Sequence, residues 1–496
     1  MQYSPDMLGP GFEHTKWVMG SDQYSPRSAT LIRYNPNQDP HAALPDRVIP
    51  ANLAPGGGVD TRSLVMLPPQ ASPQQEAEIE TLRSYHGVDV RTAQASPVAP
   101  LLDTAQQKDP NVVLEYLHAE LRGRSVELAE RWEDPPTKPK FVLIYLHGWN
   151  DYFYQTHLAR IFAHLGARFY ALELHRYGRN MPQFPPGLPW NCYVDDYREY
   201  DSQLEWALRS VRAENPGLPV VLMGHSNGGN IISGWAGRNH DKVDALIFNS
   251  PWIVQDPAVL PAGRLIEAGL RRWARNRHVS LPVGFASAYQ DSLSGYGYLG
   301  SPLPKRLIPF QNDPSVKGWA QIRRFRLIEG APVVAGWLSA VLRNHDFLQQ
   351  HSDFGRLPVL CLTGNHVPDP FYGPEIAQVD RILTRQLEAQ GRTASQRHRL
   401  YKDYQDRMNR AQKAGTWLPH PEGTPYYTEL IGWSEAARHR DTVLNGELIE
   451  ARARKIYPRS AVVKQLSGLH DLSLSQPLER VEFFTQIAQW VHAQDF

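Results

Sequence analysis

Cysteine is scarce in this chain, with Cys192 and Cys361 the only two in 496 residues. That excludes a disulfide framework. Since each lies in a stretch read as scaffold, a reducing compartment, the cytoplasm, is the expected setting. A charge excess of either sign is also missing: 52 Lys and Arg face 51 Asp and Glu, for a formal charge of +1. The balance removes the electrostatic ground for expecting nucleic acid or an anionic membrane as partner. No apolar run approaches the roughly 18 residues of a membrane span. The opening MQYSPDMLGPGFEHTKW has no basic start followed by an apolar stretch, so neither a signal peptide nor stable membrane insertion is expected. His and Cys nowhere cluster at metal-ligand spacing and no glycine-rich phosphate loop occurs, so no metal and no cofactor are expected. No internal repeat is evident.

What is present is a globular composition, 42% hydrophobic and 21% charged, in a chain long enough for a large buried core. Residues 1–35 alternate polar and apolar and end in SATLIRY, which predicts one or two antiparallel strands. From 36 to 138 the chain is rich in Pro, Gly, Asp and Gln and reads as an insertion of loops and short helices. From 139 to 250 the texture sharpens: the apolar runs FVLIYLH, RFYALELH, LPVVLMG and VDALIFNS alternate with helical spacing in QTHLARIFAHLGA, YVDDYREYDSQLEWALRSVRAE and GGNIISGWAGR. Buried strands alternating with amphipathic helices predict an α/β fold with a mostly parallel sheet flanked by helices. Between 251 and 355 the alternation stops, as expected of an inserted lid. It resumes from 356 to 496 with LPVLCLTG, SAVVKQLSG and a closing helix, around a further insertion at about 366–440.

The stretch VVLMGHSNGGNIISGW places Ser226 in a G-x-S-x-G pattern. A strand runs directly into the pattern and a helix leaves it, the arrangement of a nucleophile elbow, in which Gly224 and Gly228 allow strand and helix to approach closely. The competing reading is that Ser226 merely caps a helix. His225 is read as structural, turned away from the hydroxyl. A serine nucleophile needs a base, and the base an acid that fixes its tautomer. His470, in a loop between the last strand and the last helix, is the candidate base. Asn227 and Trp149, after the strand that ends in His147-Gly148, are the candidate N–H donors of an oxyanion hole.

With these motifs the chain resembles an α/β-hydrolase, and more closely the serine hydrolases related to monoacylglycerol lipases and lysophospholipases. LHGWNDYFYQTHLA, FYALELHRYGRN, GHSNGGNI, IFNSPW, VVAGWL and GLHDLSLS resemble signature stretches of a bacterial family within that superfamily, and MLGPGFE with ATLIRY resembles its N-terminal strands. The resemblance implies cleavage of carboxylic esters, lipid-like monoesters among them, without supplying the natural substrate. The acid departs from the pattern, since Gly364-Asn365-His366-Val367 carries no carboxylate where one is expected. Asp369 is nearest, Asp380 sits in VDRIL, and Asp441 sits in DTVLN. Asp441 is favoured because a helix, a strand and then His470 follow it, and because DTVL resembles the family's acid motif. Asp380 stays open as an alternative. In the expected lid, Arg323, Arg324 and Arg326 are placed to meet an anionic head group or to form ion pairs within the lid. Amide or peptide cleavage, acyl transfer, and a non-catalytic ligand-binding protein on the same fold remain as competing functions.

Overall fold

The computed structural model describes residues 2–39, 42, 136, 138–182, 191–256, 333–351, 357–366, 439–494 and 496, together with positions 289, 293, 315, 319, 325, 326, 331 and 354. The described residues form a nine-stranded sheet in the order β1-β2-β3-β5-β4-β6-β7-β8-β9. The first three strands, β1 (Ser4–Pro5), β2 (Phe12–Ser21) and β3 (Pro26–Tyr34), form an antiparallel meander. β3 joins β5 (Ala167–Glu173) antiparallel. From there β4 (Phe141–Leu146), β6 (Val220–His225), β7 (Ala245–Asn249), β8 (Val359–Gly364) and β9 (Ala461–Leu466) continue the sheet in parallel. The extra strand at the N-terminus, β1, is two residues long, too short to leave a periodic signal in sequence.

Parallel strands need crossovers, and these contain α1 (Thr156–His164), α2 (Asp201–Glu214), α3 (Asn227–Arg238), α4 (Ala335–Gln350), which precedes β8, and α5 (Gly446–Ile456), while α6 (Pro477–His492) follows β9. A capping box starts the turn ahead of α2: Asp196 accepts from the backbone and Glu199 reaches back to it. Because successive side chains on a strand face opposite ways, β4 sends Phe141, Leu143 and Tyr145 into one core and Val142, Ile144 and Leu146 into the other. The first core closes with Leu158 and Phe162 of α1 and Phe483 and Ile487 of α6. The second closes with Leu204 and Leu208 of α2, Ile232 and Trp235 of α3 and Ile449 and Ala453 of α5. Burial on both faces explains why β4, β6, β7 and β8 read as continuous apolar runs, whereas the edge strand β9 keeps exposed positions.

Of the segment 251–355, expected as a lid, the described helix α4 packs in the second core against α3. The Asn344 amide donates to the Asn230 carbonyl (2.9 Å) and to its side-chain oxygen (2.7 Å). The expected insertions at 36–138 and 366–440 fall almost wholly outside the described residues.

Candidate active site

All the candidate groups on described residues stand at the carboxyl ends of the parallel strands, where open α/β sheets place their sites. Ser226 follows β6 directly and has φ 51° and ψ −117°, a backbone conformation side-chain-bearing residues rarely adopt. Its surroundings hold the turn in place. The Ser226 N–H donates to the Asn249 carbonyl (3.0 Å), and the Ser226 carbonyl accepts from Trp252 (2.9 Å) and Asn230 (3.2 Å). A side chain at Gly224 would stand 2.7 Å from the Gly229 backbone, and one at Gly228 would strike the carbonyls of Leu146 and His147. Ser226 occupies the N-cap position of α3, yet its hydroxyl makes no capping hydrogen bond. The capping reading of this serine is therefore not what the structure contains.

His470 and Asp441 come together from loops after β9 and β8. The His470 Nδ1 lies 2.9 Å from Asp441 Oδ2, and both side chains are buried. The other oxygen of Asp441 accepts the N–H groups of Val443 (2.8 Å) and Leu444 (2.9 Å). Burial pushes the Asp441 carboxyl up, but the charge and hydrogen bond of His470, the Leu444 N–H and His366 outweigh it and hold it below the ordinary carboxylate value. Its backbone is fixed to the end of β8 by a parallel bridge between His366 and Asp441, and the Asp441 N–H donates to the Asn365 carbonyl (2.8 Å). Gly364 allows that approach, since a side chain there would stand 2.8 Å from Asp441 Cβ. His470 Nε2 is buried and has no hydrogen-bond partner among the described residues. Asp369 and Asp380 lie outside the described residues.

The two oxyanion candidates flank the serine. Asn227 opens α3, its side-chain oxygen accepting from the buried Tyr197 hydroxyl. Trp149 follows the β4 end, where His147 receives the Leu174 N–H on Nε2 (3.2 Å) and sits 2.8 Å through Nδ1 from the Gly148 carbonyl. Burial, the largest influence, keeps His147 below the usual histidine value, so a neutral ring with its proton on Nδ1 serves both bonds. The Trp149 indole stacks on Trp337 (4.9 Å between centroids), and Trp252 adjoins Trp337 (6.0 Å). An aromatic wall thus stands beside the elbow.

Further residues stand around the site, and of these Tyr289 and Asp151 escaped the sequence reading. His225, set aside as structural, packs its ring against His470 (5.0 Å), and its Nδ1 lies 3.8 Å from Asp151 Oδ2. Burial depresses its basicity, but the carboxylates of Asp471, Asp151 and Asp441 more than offset this and raise it. Arg326 is buried and donates to Asp151 Oδ1 (3.3 Å) and the Tyr154 hydroxyl (3.1 Å) in the loop after β4, and its guanidinium also faces the Tyr289 ring (5.8 Å) of the expected lid segment. Arg323 and Arg324 lie outside the described residues. Tyr289 meets His470 edge-on (5.4 Å). In sequence, Asp151 and Asp471 carried one signal: ionisable residues in otherwise apolar strand-end loops. Among the described residues no group of three His, Cys, Asp or Glu side chains could hold a metal ion.

A strained serine at a strand-to-helix turn, on a mostly parallel sheet with helices on both faces, gives the described residues the architecture of an α/β-hydrolase fold. The family model described as "Serine aminopeptidase, S33" matches residues 137–379. A monoacylglycerol lipase of Mycolicibacterium smegmatis is 24% identical over 128 residues, 26% of this chain and 43% of that relative, so the match spans less than half the relative's length. Among solved structures, the chain is similar to a soluble variant of monoglyceride lipase from Saccharomyces cerevisiae (TM-score 0.41, 13% identity, 73% of this chain and 89% of that one). It is also similar to a monoacylglycerol lipase of Paleococcus ferrophilus (TM-score 0.37, 14% identity, 72% and 96%).

Proposed function

We propose that this protein is a serine hydrolase that cleaves carboxylic esters through an acyl-enzyme. The observation that carries the reading is the buried pair of His470 Nδ1 and Asp441 Oδ2 at 2.9 Å, in a site whose serine sits on a strained elbow. A serine hydroxyl is a weak nucleophile until a base takes its proton. Asp441, accepting from Nδ1, fixes the tautomer that leaves His470 Nε2 unprotonated, and Nε2 is the atom without a partner. Ser226 Oγ attacks the ester carbonyl while His470 takes its proton, and the resulting imidazolium is stabilised by Asp441. The backbone N–H groups of Asn227 and Trp149 hold the oxyanion. His470 then protonates the departing alcohol, and water, activated by the same histidine, releases the acid.

Lipid-like monoesters are the substrate class supported by the aromatic wall of Trp149, Trp337 and Trp252 beside the serine and by the monoacylglycerol lipase named among the relatives. Amide cleavage on the same residues is the second reading, favoured by the aminopeptidase description of the matching family model. A cytoplasmic location fits two cysteines that are free and buried; no helix among the described residues is long and apolar enough to cross a membrane. Hydrolysis of p-nitrophenyl esters from acetyl to palmitoyl, beside aminoacyl p-nitroanilides, tests the reading with wild type and Ser226→Ala. Ester turnover lost in the variant supports it. Turnover of anilides alone moves the assignment to the peptidase, and wild-type rates in pure Ser226→Ala overturn both.

A further inference from the structure

We infer that Asn249 is a positioning residue that fixes Ser226 relative to the loop carrying His470, with Asp471 as its anchor. The inference rests on the reading of Ser226 and His470 as nucleophile and base. Asn249 is the last residue of β7, fully buried, and lies opposite His225 in the β6–β7 ladder. Each of its polar groups on that side is committed to one half of the site. Its carbonyl accepts the Ser226 N–H at 3.0 Å. Its side-chain amide donates to Asp471 Oδ1 at 2.7 Å, and its side-chain oxygen accepts the Leu472 N–H at 3.2 Å. One residue therefore holds the nucleophile by its backbone and the two residues after His470 by its side chain.

Asp471 makes the connection stiff. Its Oδ1 also accepts the Ser473 N–H (2.9 Å) and hydroxyl (2.6 Å), which caps the short 3-10 turn Leu472–Leu474. Its Oδ2 accepts the Gln155 amide at 3.0 Å. Gln155, Asn249, Leu472 and Ser473 are all buried, and in a buried network each bond lost strands a donor or acceptor away from water. A carboxamide supplies a donor to a carboxylate and an acceptor to an N–H from one planar group. An aspartate at position 249 would set two carboxylates against each other, and an aliphatic residue would leave Asp471 Oδ1 and the Leu472 N–H short of a partner. His470 is thereby held twice, through its own Nδ1 to Asp441 and through its chain neighbours to Asn249. Since displacing a reacting group by about 1 Å costs about 100-fold in rate, the clamp acts on turnover and not on substrate affinity.

The test uses the full chain with the p-nitrophenyl ester that wild type turns over fastest, comparing Asn249→Ala, Asp471→Ala, the double variant and Ser226→Ala. Asn249→Ala is expected to lower kcat about 10- to 100-fold with KM within about 2-fold, and to slow fluorophosphonate labelling of Ser226 by the same factor. The double variant should lose no more than the worse single one, because both break one connection. A folded Asn249→Ala with wild-type kcat, a change confined to KM, or losses that multiply in the double variant would overturn the clamp. Should Asn249→Ala not fold, Asp471→Ala, which removes the acceptor of the Asn249 amide while leaving the Leu472 N–H its partner, carries the same kcat-against-KM comparison. An inactive Ser226→Ala beside an unimpaired Asn249→Ala discards the clamp alone, whereas an active Ser226→Ala discards the functional reading beneath it.

Discussion

The nucleophile side of the site and the histidine-acid side are built by different physics. Ser226 is held by its own neighbours in sequence: β6 delivers it, α3 carries the chain away, and Gly224, Gly228 and Gly229 let the two elements touch. Its seat is a packing constraint among backbones and apolar side chains. His470 and Asp441 are held by polar contacts between segments distant in sequence, through the His366–Asp441 bridge, the Asp441 hydrogen bonds and the Asn249–Asp471 connection. Packing tolerates changes of solution conditions and fails on changes of volume. A polar network behaves the other way.

The largest effect that distinguishes the two sides is chemical. Ser226→Ala removes a single hydroxyl oxygen and leaves the backbone of the turn intact, so folding should persist while kcat falls by at least about 10⁴-fold, as expected when the nucleophile of a triad is deleted. Full activity in the purified variant would end the assignment of this side. Asp441→Asn probes the other. An amide there cannot fix the histidine tautomer, and kcat should fall about 10³- to 10⁴-fold with near-native circular dichroism. Asp380→Asn should stay within about 2-fold, since His470 already has Asp441 as its carboxylate partner. Reversal of these two results would move the acid to position 380.

Stability separates the sides next. Gly224→Ala forces a methyl group against the Gly229 backbone, where neither element can yield, and should cost about 1–3 kcal/mol, read as a lowered denaturant midpoint. A midpoint equal to wild type would show that the elbow is looser than its contacts imply.

A pH dependence separates the sides as well. Burial holds His157 and His175 down to about 3 and His345 down to about 4, so all three are neutral in the folded protein at neutral pH. The unfolded chain binds their protons below about 6.5. Their contribution is therefore fully present above that value and is lost as pH falls toward the folded values, at up to about 1.4 kcal/mol per pH unit for each histidine. Asp441 and Asp471, both held below the ordinary carboxylate value despite burial, add a second loss at lower pH still. His157 Nε2 lies 2.8 Å from the Ser473 carbonyl, in the loop after His470. Amide hydrogen exchange measured from pH 7 to pH 5 should consequently show residues 469–475 opening before residues 224–230. Simultaneous opening would mean that the two sides unfold as one unit.

The same contrast governs what could be read from sequence. The elbow was legible because a strand, the pattern G-x-S-x-G and a helix follow one another without interruption, and apolar runs such as FVLIYLH and VDALIFNS became buried strands. The acid was not. Three aspartates competed for one place because the residues between β8 and Asp441 interrupt the succession. The contact that brings Asp441 to His470 joins chain segments with no local periodicity to announce it. The packing of His225 on His470 was hidden for a related reason: its neighbour in space arrives from the far end of the chain.

By itself, then, the sequence determined an alternating parallel core and a strained serine at the end of its third parallel crossover strand, since hydrophobic period and glycine sterics act between near neighbours. Only the tertiary structure decided which carboxylate meets the histidine, that Arg326 and His225 both face Asp151, and that Asn249 spans the site. Those pairings join residues far apart in the chain, where the donors and acceptors a buried polar group meets depend on the completed packing.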